Sequence, residues 1–212
     1  RAANRSLDVA VCTANGAVVS NTTGNSNRQA DTAKLALGLL LAAARAIPAA
    51  DANIRAGRFQ EGLPVGMSLA GKTMGIVGLG RLGSFMACYC HALAMKVLAW
   101  SPNLSAETAH AGGATLVSKE ELFSRSDAIS VHLVLSPRSR GLIDAADLAR
   151  MKPGAILVNT SRGPIVDESA LLDAVYARRI VAARDVCERE PLPADHPLRS
   201  APNTVMTPHL GY

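Results

Sequence analysis

From residue 73 to the end of the chain, short apolar runs alternate with segments in which apolar residues recur at helical spacing. The runs predict the strands TMGIVGL, KVLAW, ATLV, DAISVHLVL, AILVNT, IVAARDV and NTVMT. The segments between them predict the helices SFMACYCHALAM, SAETAHAGG, KEELFSR, DAADLARM and DESALLDAVYARR. Strands that alternate with helices pair in parallel through right-handed crossovers. The pattern therefore predicts an α/β fold with a doubly wound parallel sheet and helices on both faces.

Capping residues mark where two of these helices begin. Ser118 and Glu121 form a capping box before KEELFSR. Asp167 caps the helix of DESALLDAVYARR.

The first third of the chain is less regular. AVVSN (17–21) predicts a short strand. Ser26 and Gln29 form a capping box before a long helix rich in Ala and Leu, which we expect to end at Pro48. A second short helix and a connection rich in Gly and Pro are expected over 51–70.

Two phosphate-binding patterns overlap between residues 66 and 83. Gly66 to Thr73 reads G-x-x-x-x-G-K-[ST], the P-loop pattern. A P-loop needs a helix after its Lys, whereas the strand TMGIVGL follows here. Lys72 would also begin that strand, at the opposite edge of the sheet from the ligand crevice. We therefore interpret this P-loop pattern as a chance match.

The second pattern is G-x-G-x-x-G, from Gly78 to Gly83, and it lies between a predicted strand and a predicted helix. Gly78 would make the tight turn, Gly80 would let the backbone approach a pyrophosphate, and Gly83 would let helix and strand pack closely. The N–H groups of Arg81 and Leu82 would face the anion. A glycine-rich turn that only packs is the alternative. In this context the pattern predicts a Rossmann-type dinucleotide site.

The acidic residue expected in an NAD site is missing from this sequence. An NAD site usually has an Asp or Glu about 20 residues after the glycines, bonded to the ribose hydroxyls. That place holds Ser101, Pro102 and Asn103, and no Arg follows that would hold the phosphate of NADP. Ser101 or Asn103 could bond either ribose. The choice between NAD and NADP stays open, with NAD favoured because no cation replaces the acid.

Ligands of such sheets bind outside the carboxyl ends of the strands. The polar residues that follow the last three strands are Thr160, Ser161, Arg162, Asp185, Glu188, Glu190 and His209. An Arg binds a carboxylate and polarises the adjacent carbonyl, while a His oriented by a carboxylate transfers a proton. Taken singly, Arg162, Glu190 and His209 could be a solvated side chain, a surface turn and a capped turn. Behind the glycine pattern they together predict hydride transfer with a nicotinamide cofactor.

Composition narrows the class of protein. The 212 residues are 49% hydrophobic and 3% aromatic, and the net charge of +5 comes from scattered basic residues. This distribution argues against nucleic-acid binding and suits an anionic small molecule. Four cysteines without metal-ligand spacing favour reduced thiols, no metal site and a cytoplasmic location. The longest apolar run, Leu35 to Ala44, is too short to span a bilayer, so no membrane association is expected.

Four stretches together resemble the D-isomer-specific 2-hydroxyacid dehydrogenase family: LAGKTMGIVGLGRLG, MKPGAILVNTSRGPIVDESALLDAV, EREPLPADHPL and NTVMTPHLGY. The resemblance covers about Val18 to Tyr212. Phosphoglycerate dehydrogenases and hydroxypyruvate or glyoxylate reductases belong to that family. The resemblance implies hydride transfer between NAD (or NADP) and C2 of a 2-hydroxy or 2-oxo acid.

The resemblance also implies roles for single residues. Arg162 would bind the substrate, and Glu190 would be the partner of His209, the acid/base. Asp185 would hold the nicotinamide carboxamide. The positions expected to contact the cofactor are Gly78, Gly80, Arg81, Leu82, Gly83, Ser101, Val134, Thr160, Ser161, Arg162, Asp185 and His209. Since the formate dehydrogenase branch commonly has a Gln where Glu190 stands, Glu190 favours a 2-hydroxy acid.

By the same resemblance, residues 1–27 would be a remnant of a flavodoxin-like substrate domain, and residues 28–212 the dinucleotide-binding domain. Family members are commonly homodimers. The helix from about Arg28 to Ile47 has a broad apolar face that suits a dimer contact, although it could pack on its own sheet. Because most of the substrate domain is absent, a catalytically inactive NAD(H)-binding module is the alternative to an active enzyme.

Arg184 departs from the family pattern, in which the strand before the Asp is normally apolar. An Arg there must reach the surface, pair with a neighbour such as Asp185, or lower stability. A pair with Asp185 could weaken nicotinamide binding.

Overall fold

The computed structural model describes residues 8–20 and 30–211. In these ranges seven strands form one sheet, ordered β3-β2-β1-β4-β5-β6-β7, and every neighbouring pair is parallel. The strands are β1 (Thr73–Val77), β2 (Lys96–Trp100), β3 (Thr115–Leu116), β4 (Ala128–Val131), β5 (Ala155–Asn159), β6 (Ile180–Arg184) and β7 (Thr204–Met206). The predicted doubly wound parallel sheet is confirmed. The chain reverses its direction of travel across the sheet between β1 and β4, and such a switch point opens a crevice for ligands.

Helices cover both faces of the sheet. The described helices are α1 (Val9–Ala14), α2 (Asp31–Ala44), α3 (Ile47–Arg55), α4 (Arg81–Ala92), α5 (Ala106–Ala111), α6 (Lys119–Arg125), α7 (Ala145–Arg150) and α8 (Glu168–Tyr176). Short 3₁₀ turns lie at Gly163–Ile165 and Pro197–Arg199. Buried side chains of α2, α4 and α5 pack on one face, and those of α6, α7 and α8 pack on the other.

Alternation along the strands divides the core into these two layers. In β5, Ile156 and Val158 face the α2 layer, whereas Ala155 and Leu157 face the α8 layer. Both sets are at most 2% exposed. A strand buried on both faces explains why the sequence shows continuous apolar runs there.

The two helix starts predicted from capping residues are confirmed. Ser118 Oγ accepts the Glu121 N–H at 3.1 Å, and Glu121 Oε2 accepts the Ser118 N–H at 3.0 Å. This box opens α6 at its predicted bounds. Asp167 accepts the Ala170 N–H at 3.0 Å and caps α8.

Two predictions in the first third of the chain are wrong. Residues 17–20 have no regular secondary structure, so the strand expected at AVVSN does not form over them. The long helix ends at Ala44, and Pro48 lies in the first turn of α3, where the missing N–H of a proline costs nothing. Between the two helices Ala46 takes a left-handed conformation, with φ of 50°. The capping box at Ser26 and Gln29 lies outside the described residues.

The structure rules out a P-loop at Gly66 to Thr73. Lys72 is followed directly by β1, and its carbonyl accepts the Lys96 N–H at 2.8 Å next to the start of β2. Lys72 therefore lies at the amino ends of the strands, away from the crevice, as the sequence predicted.

No single described helix is long and apolar enough to cross a membrane. The pair α2 and α3 satisfies the length and composition criteria only when taken together, and the two helices are bent by 62°.

Candidate active site

The hydrogen-bond ladder of the sheet continues past the carboxyl ends of its central strands. The pairs beyond these ends are Gly78 N to Trp100 O (2.9 Å), His132 N to Val77 O (2.8 Å), Asp185 N to Asn159 O (3.0 Å) and Thr207 N to Arg184 O (2.9 Å). Each bond fixes the first residue after a strand against the neighbouring strand. The polar residues predicted for the site are therefore held at one edge.

The glycine turn fits a phosphate at this edge. Gly78 has φ of 96°, and a Cβ there would lie 2.8 Å from the His132 carbonyl oxygen. A Cβ on Gly83 would overlap the Gly78 carbonyl oxygen, so α4 packs directly on the turn. Gly80 is exposed, and a Cβ on it would meet nothing within 4 Å, which leaves open space for a ligand. No side chain caps α4 at Gly80, and Arg81 and Leu82 form its first turn.

Two buried polar atoms near this crevice have no hydrogen-bond partner among the described residues. They are His132 Nδ1, just past β4, and Thr160 Oγ1, just past β5. Burial lowers the pKa of the His132 imidazole to about 4. His132 Nε2 lies 2.8 Å from Ser130 Oγ. Unpartnered polar atoms next to an open glycine turn are what a site for a polar ligand presents before the ligand binds.

Ser101 and Val134 follow β2 and β4 at the carboxyl ends of the strands. Ser101 directly follows β2, is half-buried, and carries no negative charge. Val134 is 81% exposed on the loop after β4, and its carbonyl accepts the Ser139 hydroxyl at 2.7 Å. The contact of both residues with the adenosine half of a dinucleotide stays a prediction.

The segment after β5 is tied to the sheet by its own polar groups. Asn159 Oδ1 accepts the Ser161 N–H at 2.9 Å, and Asn159 Nδ2 donates to the Arg162 carbonyl at 3.0 Å. The Ser161 hydroxyl donates to Val131 O at 2.7 Å and so joins β5 to β4. The Arg162 guanidinium is exposed and donates to the Ser161 carbonyl at 2.6 Å. Arg162 therefore has a fixed backbone and a side chain open to an anion.

Asp185 anchors the segment that carries His209. Its carboxylate accepts the Thr207 hydroxyl at 2.6 Å, the Leu210 N–H at 2.8 Å and the Gly211 N–H at 2.8 Å. Its carbonyl accepts the His209 N–H at 2.9 Å. Asp185 is 1% exposed, and Oδ2 carries only one of these bonds. A contact from Asp185 to a nicotinamide carboxamide stays a prediction.

Glu190 and His209 form the pair expected of an oriented acid/base. Glu190 Oε2 lies 2.6 Å from His209 Nδ1, and Glu190 Oε1 accepts the Cys187 N–H at 2.8 Å. Nε2 of His209 has no partner among the described residues. Because Nδ1 is engaged, Nε2 is the ring nitrogen available for proton transfer.

A cavity of about 740 Å³ opens beside this pair. Its lining includes Asp185, Cys187, Glu190, Leu192, Met206 and His209, and excludes Arg162. Burial raises the pKa of the Cys187 thiol, so Cys187 contributes an uncharged wall. The structure thus brings Glu190 and His209 together and places Arg162 on a neighbouring segment, where Gly163 contacts the Cys187 carbonyl.

Arg184 neither reaches the surface nor pairs with Asp185. It is 2% exposed, and its Nη2 donates to Glu168 Oε2 at 3.2 Å. Glu168 Oε1 also lies 3.1 Å from His196 Nε2. Arg184 Nη1 has no partner among the described residues, and an unpaired buried donor costs about 1–3 kcal/mol. The neighbour named from the sequence was wrong because adjacent strand residues point to opposite faces, which put Arg184 on the α8 side.

Sequence reasoning missed His132, Thr207 and the Glu168–His196 pair. His132 and Thr207 belong to predicted strand runs, and both lie just beyond the observed strand ends. Their place at the carboxyl edge was the available signal. No local signal connects Glu168 with His196, because only the tertiary fold brings them together.

A Rossmann-type sheet with an open glycine turn and an oriented Glu–His pair at one edge defines a dinucleotide-binding domain of the dehydrogenase kind. Comparisons with known proteins agree. The model of the family "D-isomer specific 2-hydroxyacid dehydrogenase, NAD binding domain" matches residues 37–211. The chain belongs to this family, which confirms the resemblance and the NAD cofactor class.

The relatives are longer than this chain. D-3-phosphoglycerate dehydrogenase of Archaeoglobus fulgidus is 42% identical over 205 residues, which are 96% of this chain and 38% of that protein. A phosphoglycerate oxidoreductase from Vibrio cholerae o395 superposes with a TM-score of 0.91 at 37% identity, covering 100% of this chain and 68% of that one. A glyoxylate reductase from Paecilomyes thermophila gives 0.83 at 33% identity, covering 99% and 63%. The chain thus spans 38% of the length of the curated relative described above.

We expect His132 to make stability fall with acid. Its pKa is about 4 in the folded chain against 6.5 for the free side chain, so between these values the unfolded chain binds a proton that the folded chain does not. The contribution of His132 to stability is present above pH 6.5 and is lost as the pH falls toward 4, which amounts to about 3 kcal/mol in all. Urea unfolding at pH 7.5 and 4.5 measures the loss, and His132→Gln should reduce it.

His110 on α5 is exposed, and His110→Gln is the matched control that should leave the acid loss unchanged. An equal loss in the His132→Gln chain and the parent chain would contradict this assignment.

A second prediction concerns the ribose end of the crevice. In the Ser101→Asp chain, an added carboxylate would accept bonds from the ribose hydroxyls of NADH and repel the 2′-phosphate of NADPH. We expect the Kd for NADPH to rise at least about tenfold relative to that for NADH, as titrations by cofactor fluorescence would measure. Ser105→Asp adds the same charge at the cap of α5 and should not change the ratio. An unchanged ratio in Ser101→Asp would place the ribose elsewhere.

Proposed function

We propose that this chain carries the cofactor-binding and proton-transferring half of an NAD-dependent oxidoreductase that interconverts 2-hydroxy acids and 2-oxo acids. The observation that supports it most is the Glu190–His209 pair, 2.6 Å apart at the same sheet edge as the open glycine turn. Family membership supports the same reaction class. Because the chain spans only part of its curated relatives, the activity is proposed and not transferred from them.

His209 would move the proton. Glu190 fixes the ring through Nδ1 and leaves Nε2 available, and His209 lines the cavity. From Nε2 a proton passes to the carbonyl oxygen of a 2-oxo acid, or returns from the hydroxyl of a 2-hydroxy acid. The carboxylate of Glu190 stabilises the imidazolium that exists before donation and after abstraction. A bound nicotinamide dinucleotide supplies or accepts the hydride at C2.

Arg162 would bind the substrate. Its guanidinium offers a planar set of donors that matches a carboxylate, and the fixed backbone after β5 limits where that group can lie. In this proposal a carboxylate held by Arg162 presents its adjacent C2 carbonyl to His209. This arrangement favours acids that carry oxygen next to the carboxylate.

A second candidate function is a dinucleotide-binding module without turnover. One observation favours it: the cavity beside Glu190 and His209 is not lined by Arg162. Cofactor binding needs only the described sheet edge, whereas catalysis needs these residues to enclose one substrate. The two candidates differ only in whether bound NADH is consumed.

The test is NADH oxidation with glyoxylate and with hydroxypyruvate. In His209→Ala and in Arg162→Ala we expect kcat/KM to fall at least about 10²-fold. NADH should still bind, with its Kd raised less than about tenfold, because the glycine turn stays intact and each residue is only one of the predicted cofactor contacts. Arg150→Ala, an exposed arginine at the end of α7, is the matched control and should keep full turnover.

Undiminished turnover in His209→Ala would refute the mechanism. NADH binding without consumption by the parent chain, over the whole panel of 2-oxo acids, would favour the binding module.

We also propose that two copies of the chain associate through the segment from α3 to residue 65. Four apolar side chains of this segment are exposed: Ile47 (52%), Ile54 (60%), Phe59 (69%) and Val65 (101%). The helix predicted from sequence as the dimer contact, α2, instead buries Leu39 and Leu40 against its own sheet. Exposed apolar residues in one segment are typical of an interface.

Light scattering coupled to size exclusion tests the association. The chain mass is 22.0 kDa, so light scattering should give twice that mass for a dimer. Phe59→Asp should raise the dissociation constant at least about tenfold, because a carboxylate would be buried at the contact. Val18→Asp changes an exposed residue outside the segment and should have no effect. A parent chain that stays monomeric at every concentration would refute the proposal.

A cytoplasmic location is part of the same proposal. All four cysteines are free in the structure, as they are in a reducing compartment.

A further inference from the structure

The peptide group between Val186 and Cys187 is bonded at both ends. Its oxygen accepts the Arg184 Nε–H at 3.1 Å, and its N–H donates to Glu190 Oε1 at 2.8 Å. Glu190 in turn contacts His209 through its other oxygen, at 2.6 Å. One continuous series of contacts therefore leads from a buried guanidinium to the acid/base.

The peptide group transmits position because it is planar. Its C=O and N–H point in opposite directions within one rigid plane, so holding the oxygen also fixes the direction of the N–H. Glu190 and His209 are about 37% and 39% exposed, and solvated side chains of this kind have several rotamers open to them. An N–H with a fixed direction selects one orientation of the Glu190 carboxylate, and that orientation directs Oε2 to His209.

The Arg184 side chain is buried and paired, so its position is fixed. It is 2% exposed, it ends β6, and its Nη2 is paired with Glu168, the first residue of α8. Glu168 also contacts His196, which accepts the Leu198 N–H through Nδ1 and so presents a protonated Nε2 to the carboxylate. Because Nη2 is fixed on Glu168, the planar guanidinium fork directs Nε at the Val186 oxygen.

The positive charge adds to the effect of geometry. A cation at the carbonyl oxygen polarises the peptide and makes its N–H a stronger donor to the Glu190 carboxylate. An apolar side chain at position 184 would fill the same space but would supply neither the bond nor the polarisation.

We propose that Arg184, held by the Glu168–His196 pair, is a positioning residue that orients Glu190, and through it His209, by way of the Val186–Cys187 peptide. The inference rests on the proposed roles of Glu190 and His209 in proton transfer, but its physical content is a hydrogen bond that can be measured without any turnover.

The first measurement is of the Cys187 amide in the ¹⁵N-labelled chain by NMR. In Arg184→Met the peptide loses its anchor, so we expect the Cys187 amide proton to shift upfield and its hydrogen exchange to accelerate at least about tenfold. Glu190→Gln removes the charged acceptor and should shift the same amide in the same direction.

Arg179→Met is the matched control. Arg179 lies just before β6, at its opposite end, and its Nη2 also donates to backbone carbonyls, those of Ala149 and Met151, at 2.8 and 3.1 Å. Losing this guanidinium should lower the midpoint of urea unfolding and leave the Cys187 amide unchanged. A general loss of stability would instead affect the amide equally in both variants.

The second measurement separates positioning from binding. With NADH and glyoxylate, Arg184→Met should lower kcat at least about tenfold, with KM and the Kd for NADH within about twofold of the parent chain. A parent chain that shows no turnover would refute the proposed function, while the amide measurement would still decide the role of Arg184.

Far-ultraviolet circular dichroism shows whether Arg184→Met folds. If it does not, the Cys187 amide is measured in Arg184→Lys instead. A lysine keeps the charge but lacks the planar fork that serves Val186 and Glu168 together. An unchanged Cys187 amide in the folded variant would overturn the inference, and a shifted amide with faster exchange would support it.

Discussion

The main constraint in this molecule is the hydrogen-bond ladder that runs past the ends of the parallel strands. Bonds such as Asp185 N to Asn159 O continue the register of the sheet into segments that are no longer strand. Backbone that would otherwise be loop is thereby fixed as firmly as the sheet. The glycine turn and the segment of His209 begin from such fixed residues, and side-chain bonds of Asn159 and Ser161 tie the segment of Arg162 to the same edge.

The site has few charged contacts and several unsatisfied polar atoms. His132 Nδ1, Thr160 Oγ1 and Arg184 Nη1 are buried without partners in the described part of the chain. Such atoms cost stability, and native structures retain few of them. Two of the three lie next to the crevice, where a bound dinucleotide would bring polar groups, whereas the third is on the α8 side and belongs to the support of Glu190. The polar atoms that would bind a ligand at this edge therefore lower the stability of the free chain.

Much of this architecture could be predicted from sequence, because its signals are local. Strand runs and the Ser118 box depend on neighbouring residues only, and the strand that follows Lys72 was enough to reject the P-loop. The predictions that depend on tertiary contacts were weaker. Pro48 stops one helix as readily as it starts another, and only packing decides between them. The pairing of Glu190 with His209 came from family resemblance, and the partner of Arg184 required the fold, although the alternation of β6 already disfavoured Asp185.

Alternation in β6 has one more consequence. Arg184 faces α8 and holds the peptide beside Glu190, while the carboxylate of Asp185, the next residue, holds Thr207, Leu210 and Gly211 on both sides of His209. Two consecutive residues thus support the two members of the pair from opposite layers of the protein. A one-residue insertion or deletion in β6 would exchange these layers, directing the carboxylate to α8 and the guanidinium to α2. The length of β6, as well as its residues, therefore determines how the Glu190–His209 pair is supported.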